Sequence, residues 1–324
     1  MIKPNSGVGL QRSALFLWIF SVRSDISIDV LGLGCLAVDE ILLSPIWPEP
    51  DTKTRLLARD RQGGGLTGNA MVAAARFGAK VSYGGSLGVD DDSRYLRDLY
   101  LKEGINLTHC RTDPQFRPIR STIVIDQSQN TRTIWFDLPG HLGAREDWPP
   151  AELITQSKVL FVDHYGMEGM IRAAKIARAS GVEVVADFER DEHPRFEELL
   201  PLVDHLILSS KFATKRTGLQ NPRDAAEALA KIGAKVTIVT NGELGAWVVG
   251  EGSCFSIPAY PVTVVDSTGC GDAFHGVYAA CLAKGLGLFD RLKFATAAAA
   301  IKAKHLGAQR GLPTRQEVET FLDF

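Results

Sequence analysis

Val262-Thr263-Val264-Val265-Asp266-Ser267-Thr268-Gly269-Cys270-Gly271-Asp272-Ala273-Phe274-His275-Gly276 reads as a strand that enters a glycine turn and leaves it as an apolar helix. The β-branched run Val262 to Val265 favours an extended backbone, and the glycines allow a tight turn. The helix is expected from Asp272 or Ala273 to Lys284. Glycines at such a turn let backbone N–H groups approach an anion, and the helix N-terminus adds the positive end of its dipole. Asp272 stands at the mouth of that helix. An aspartate there can cap the first turn or take a proton from a hydroxyl, and the segment alone does not choose between them.

Working outward, the same strand-then-helix beat fills the chain. Ile28 to Gly34 reads as a buried strand, Asn69 to Phe77 as a helix stopped by Gly78, Lys80 to Gly84 as a strand, and Ser93 to Glu103 as a helix closed by Gly104. Strands are expected again at 159–162, 182–186, 205–208 and 235–240, with helices at 167–180 and 222–232 between them. Short β-branched runs separated by helices predict a parallel sheet covered on both faces, a three-layer α/β/α body. Thr54 to Arg61 and Ser121 to Asp137 break the rhythm. They read as antiparallel strands of a small β-sheet lid, the second with a hairpin at Gln127 to Asn130. The expected division is a body of 28–38, 63–119 and 138–324, and a lid of 39–62 and 120–137.

Composition sets limits. The 324 residues are 45% hydrophobic and 23% charged, with a net charge of −2, which gives no electrostatic reason to expect a nucleic-acid or membrane partner. Five widely spaced cysteines form no CxxC pair, so neither a disulfide framework nor a zinc site is indicated, and a cytoplasmic setting is the simplest reading. In residues 1–27, the apolar run from Ala14 to Phe20 spans seven residues, too few to cross a membrane. We read 1–27 as a disordered extension. Gly32-Leu33-Gly34 lacks a third glycine at the spacing of a dinucleotide fingerprint, which counts against an NAD-dependent enzyme.

Asp266 to Phe274 resembles the D-T-x-G-A-G-D-x-F signature of the ribokinase-like, or PfkB, carbohydrate kinases. Cys270 replaces the usual small residue and Val277 stands where a small one is common; neither change removes a backbone donor or the aspartate. Gly64-Gly65-Leu66-Thr67-Gly68-Asn69 resembles that family's GGxxxN loop, followed at similar spacing by Gly78 and Gly88. The likeness covers nearly all of residues 28–324 and looks most like kinases of ketohexoses and of sulfofructose.

The resemblance implies a ribokinase-like fold and ATP-dependent phosphorylation of a sugar hydroxyl, ketose or modified ketose first. A nucleoside, a keto-deoxy sugar acid or a non-catalytic pseudokinase is the alternative. Asp272 would be the base, with Gly269, Cys270 and Gly271 forming the anion-binding turn. Asp39, Gly64, Gly65, Asn69 and Arg132 would hold the sugar. Asn69 brings both a donor and an acceptor, and an arginine on a lid suits an anion. Ser209, Lys211, Thr240, Gly242, Gly245 and Thr296 would line ATP, which would arrive with Mg2+. Asp266 and Thr268, with carbonyls near Gly307, would hold a monovalent cation such as K+. A homodimer through the lid is also implied, since exposed sheet edges favour pairing. The family's N-x-x-E motif is missing; Ser209-Ser210-Lys211-Phe212 stands there, which leaves the magnesium ligands unassigned. Cys270, at a helix N-terminus beside the anion site, is expected to have a lowered thiol pKa and to be alkylated readily.

Overall fold

The structure is a computed structural model that describes residues 28–129, 131–138 and 140–323. The expected extension, 1–27, lies outside the described residues.

The main sheet has eight strands, in the order β14-β13-β12-β11-β10-β9-β1-β4. Six run parallel: β4 (Val81–Tyr83), β1 (Ile28–Gly32), β9 (Ser157–Asp163), β10 (Glu183–Asp187), β11 (His205–Ser209) and β12 (Val236–Thr240). Two antiparallel strands, β13 (Ala246–Gly250) and β14 (Ser253–Ile257), extend the edge. A four-stranded second sheet has the order β3-β2-β7-β8, from β2 (Ala37–Ser44), β3 (Ala58–Gly64), β7 (Ile119–Asp126) and β8 (Thr131–Asp137). Strands β5 (Ser86–Leu87) and β6 (Arg111–Thr112) form a small third sheet.

Side chains alternate across the main sheet because successive residues of a strand point to opposite faces. Val30, Val159 and Phe161 join one core, and Leu31, Leu160 and Val162 the other. The first core is covered by α1 (Leu66–Arg76), α2 (Asp91–Lys102), α8 (Cys270–Ala283), α9 (Leu288–Ala303) and α10 (Arg315–Leu322). The second is covered by α3 (Ala151–Thr155), α4 (Met167–Ala179), α5 (Phe196–Leu199), α6 (Ser210–Thr217) and α7 (Pro222–Ala230). The body is therefore three-layered, as the alternation of elements led us to expect. Helix α8 is buried almost all round, which is why its sequence carries no polar stripe. Among the described residues no helix is long and apolar enough to cross a membrane.

Three expectations change. Val262 to Val265 is not a strand; this stretch is held at its end by Val265 and Asp266, whose amides donate to the Ala303 carbonyl at 2.8 and 3.2 Å. The β-branched residues marked an extended backbone but had no neighbour to pair with. The second sheet is mixed, since β2 runs parallel to β7 while β2–β3 and β7–β8 are antiparallel. Its strands also reach beyond the boundaries drawn from sequence, from Ala37 to Gly64 and from Ile119 to Asp137.

Candidate active site

A cavity of about 340 Å³ lies between the second sheet and the body. Its roof is built with period two: Ala37 and Asp39 come from β2, Ile119, Ser121 and Ile123 from β7, and Arg132, Ile134 and Phe136 from β8. Asp39, Ser121 and Phe136 are register partners across three strands, so they form one row over the cavity. Its floor holds Gly65, Asn69, Ser267, Thr268, Gly269, Gly271 and Asp272, and Tyr165, Glu189 and Arg190 are among the other residues that line it. Arg132 donates to the Ser267 hydroxyl and so ties roof to floor. A larger hollow around Glu168, Arg172 and Arg195 shares none of these residues.

Two glycines make the floor possible. Gly65 has φ 88° at the entry to α1, and a Cβ there would meet the Cys35 carbonyl at 2.8 Å. A Cβ on Gly276 would stand 2.1 Å from the Ala70 carbonyl, so α8 can press on α1 only with glycine there. That approach brings Asn69 to Asp272, the Asn69 amide nitrogen donating at 2.7 Å. Asn69's oxygen in turn accepts from Gln309 Nε2 at 3.3 Å. The Gln309 and Arg310 amides are held by Gln62 Oε1 at 3.1 and 3.0 Å, and Gln62 is the register partner of Asp39 on β3. A chain of hydrogen bonds thus runs from the second sheet to Asp272.

The first-turn amides of Gly271 and Asp272 have no acceptor within α8, as at any helix start. The Cys270 amide is different, since it already donates to the Ser267 carbonyl at 3.3 Å. Among the described residues the floor therefore offers two unpaired N–H groups at the positive end of a long, buried helix.

Acidic groups crowd around this point. Burial pushes the Asp272 carboxyl well above the usual carboxylate range, the nearby Asp187 carboxylate adds to the effect, and the Asn69 hydrogen bond opposes it. Asp187 is raised for the same reason, by burial and then by Glu189 and Asp163. On the roof, burial raises Asp39 to about 6, with Ser121 beside it pulling the other way. Asp163 is fully employed: its oxygens accept from the Cys35 amide, the Thr67 hydroxyl and the Tyr165 amide at 2.7, 2.9 and 2.8 Å. It locks the end of β9 to the starts of β2 and α1.

Asp39, Gly65, Asn69, Arg132, Thr268, Gly269, Gly271 and Asp272 all line the one cavity. Gly64 does not line it but backs the Asp39 carboxylate, where a Cβ would lie 2.2 Å from Oδ2. Ser209, Lys211, Thr240, Gly242, Gly245 and Thr296 are also outside it. Ser209 and Thr240 are register partners at the carboxyl ends of β11 and β12, and Gly242 and Gly245 follow in the turn after β12. Thr296, in α9, has a buried hydroxyl without a protein partner among the described residues. Cys270 is a correction: its thiol is absent from the cavity lining, and burial raises it to about 11. The pull of the helix dipole is outweighed by desolvation. Sequence reading missed Gln62, Gln309 and Lys302. The first two had no signal, whereas a lysine at the end of the alanine-rich run of α9 was a visible anomaly.

A sheet of parallel strands with a polar cavity and an anion-ready helix start at their carboxyl ends is the arrangement of an α/β group-transfer enzyme. A family model described as pfkB family carbohydrate kinase matches residues 29–315, and the chain belongs to that family. A ribokinase of Haemophilus influenzae is 29% identical over 298 residues, covering 90% of this chain and 97% of that protein. The crystal structure of a ribokinase from Thermotoga maritima matches with a TM-score of 0.79 at 27% identity, over 92% of this chain and 100% of that one. An Arabidopsis thaliana ribokinase complexed with ribose and ATP shares the fold, with a TM-score of 0.79 at 22% identity over 92% and 99% of the two chains.

Proposed function

We propose that this carbohydrate kinase transfers a phosphoryl group from ATP to a hydroxyl of a ketose or modified ketose, with Asp272 as general base. The observation that carries the reading is the convergence of Asp39, Asn69 and Asp272 on one cavity that also opens on the unpaired amides of Gly271 and Asp272. Asp39 and the Asn69 side chain hold sugar hydroxyls. Asp272, its proton affinity raised by burial, takes the proton from the attacking hydroxyl. The amides at the start of α8 hold the charge of the phosphoryl group in flight, where a preorganised dipole acts without reorganisation. Arg132, reaching down from the second sheet, closes the cavity over the reactants as a lid and excludes water.

The nucleotide is assigned to the carboxyl ends of β11 and β12, along Ser209, Lys211, Thr240, Gly242 and Gly245. The unpartnered hydroxyl of Thr296 suits a polar atom of the base. Among the described residues no three His, Cys, Asp or Glu side chains converge to hold a metal. Magnesium is therefore assigned to the ATP phosphates, as is usual for an ion that keeps several waters, and no protein ligand is named.

The test is ATP consumption across ketoses, ribose, sugar acids and nucleosides, with binding followed in parallel by thermal shift. Turnover greatest with a ketose supports the reading; turnover confined to nucleosides, or binding without turnover, overturns it. One observation favours a second reading. Arg132 and Arg190 both line the cavity and neither is in an ion pair among the described residues, which suits a sugar acid. In that case the panel responds best to the acids.

A further inference from the structure

Lys302 is fully buried in the last turn of α9. Its Nζ donates to the backbone carbonyls of Asp266 at 2.8 Å and His305 at 3.0 Å. Among the described residues it makes no ion pair within 4.0 Å. A buried ammonium without a carboxylate partner is costly, so its retention calls for a reason. The surroundings supply one. Asp266 and Thr268 belong to the segment that the family resemblance assigns to a monovalent cation, but their polar atoms are already engaged. Asp266 Oδ1 accepts from the Thr268 amide at 2.9 Å and hydroxyl at 2.7 Å, and Oδ2 accepts from the Gly307 amide at 2.8 Å. The Asp266 carbonyl is taken by Lys302 itself. Backbone carbonyl oxygens on a compact single positive charge are what an alkali cation would require, and here two of them, from Asp266 and His305, meet a charge that is covalently attached.

We propose that Lys302 takes the place of a monovalent cation at this loop, so that the protein neither needs nor binds potassium there. The ammonium clamps the 303–307 segment to Asp266, three residues ahead of the turn at Gly269. Gly269 is packed directly on Ala308, where a Cβ would stand 2.7 Å from the Ala308 carbonyl. The clamp therefore sets the position of the helix start that carries the two unpaired amides. Burial draws the lysine's pKa down and the neighbouring Cys270 and Asp266 oppose this, while both of its bonds are N–H bonds donated to backbone carbonyls. The inference rests on this loop's geometry and not on the role of Asp272 or the identity of the sugar.

The experiment compares the full chain in potassium chloride and in tetramethylammonium chloride at equal ionic strength. Melting temperature is read without any substrate, and turnover is read with the sugar found active in the panel. The native protein is expected to melt at the same temperature in both salts and to turn over equally. A lower melting temperature or a several-fold loss of turnover in tetramethylammonium overturns the proposal. Lys302→Ala opens the ammonium's place. In tetramethylammonium it is expected to lose about tenfold or more of its turnover, less than the roughly 10²–10³-fold of removing an anion-hole donor outright, and to recover with added potassium or ammonium ion. Its melting temperature should rise with those ions, and a folded Lys302→Ala that responds to neither overturns the proposal. Should that variant fail to fold, the salt exchange on the native protein decides alone. Because the melting arm needs no sugar, a failed kinase assay leaves it intact.

Discussion

Asn69 and Asp272, 203 residues apart in sequence, are joined by a 2.7 Å hydrogen bond in which the asparagine amide donates to the carboxylate. An ionised carboxylate only accepts, so Asn69 must present its nitrogen to Asp272 and its oxygen to Gln309. Each group in the row fixes the orientation of the next.

Replacing the proposed base tests the first link. Asp272→Asn is expected to lower kcat by roughly 10²–10⁴-fold, the usual range for removing a general base, while ATP binding measured by calorimetry persists. Undiminished turnover would remove Asp272 from the chemistry.

Gln309→Glu replaces a donor by an acceptor of the same shape. Asn69 would then turn its amide nitrogen towards residue 309 and its oxygen towards Asp272, raising the affinity of that carboxylate for a proton. The expected result is a kcat about tenfold lower and an acid limb of the pH–rate profile moved upward by about one unit, with KM for ATP unchanged. An unmoved acid limb would show that Gln309 only packs.

Asp39 gives a pH dependence with a definite sign. Its folded pKa is about 6 against an ordinary value of 3.8, so the folded protein holds this proton more tightly than the unfolded chain. Its contribution to stability is complete below 3.8 and is lost as pH rises through about 6. Asp39→Asn is therefore expected to raise the melting temperature at pH 7.5, with a gain on the order of 3 kcal/mol in unfolding free energy, while weakening sugar binding. In the native protein the KM for sugar should rise below about pH 6, as the acceptor becomes protonated. A flat KM between pH 5 and 8 would contradict this placement of Asp39.

Gly276→Ala places a methyl group against the Ala70 carbonyl and forces α8 away from α1. A stability loss of about 1–3 kcal/mol in urea unfolding is expected, as for overpacking elsewhere. The separation of Asn69 from Asp272 should also lower kcat, so both quantities fall together.

Cys270 should react slowly. With a thiol pKa of about 11, only roughly one part in a thousand is thiolate at pH 8, so timed alkylation read by mass spectrometry should leave it largely unmodified in the folded protein.

The layered body could be read from sequence because hydrophobic periodicity is a local signal, and β9, β10, β11 and β12 lie where β-branched runs placed them. Asp272 and Asn69 were singled out by the family resemblance of their glycine motifs, since the residues alone left Asp272 as either a helix cap or a base. β13 and β14 were not anticipated: Ala246–Gly250 and Ser253–Ile257 are short, and the edge position that makes them strands comes from β12, not from their own residues. The Gln62–Gln309 contact was invisible for a deeper reason, and Lys302 stood out by its place in an alanine-rich run without showing its partner. A glutamine on a strand, or a lysine in a helix, does not say which carbonyl or amide the chain brings from far away to meet it. Cys270 was misjudged because a helix terminus can be read from sequence, whereas the packing that desolvates a thiol there cannot.

The roof of the cavity has one further consequence. Its eight side chains come from alternate positions of β2, β7 and β8, and the backbone hydrogen bonds of those strands do not depend on which side chains they are. Substitutions there can redraw the space offered to a small molecule while leaving Gly271, Asp272 and the start of α8 untouched on another part of the chain. On the proposed reading selectivity is thereby modular, and an engineer seeking a new acceptor could randomise Ala37, Ile119, Ile123, Ile134 and Phe136 as a library while keeping Asp39, Arg132 and the floor constant.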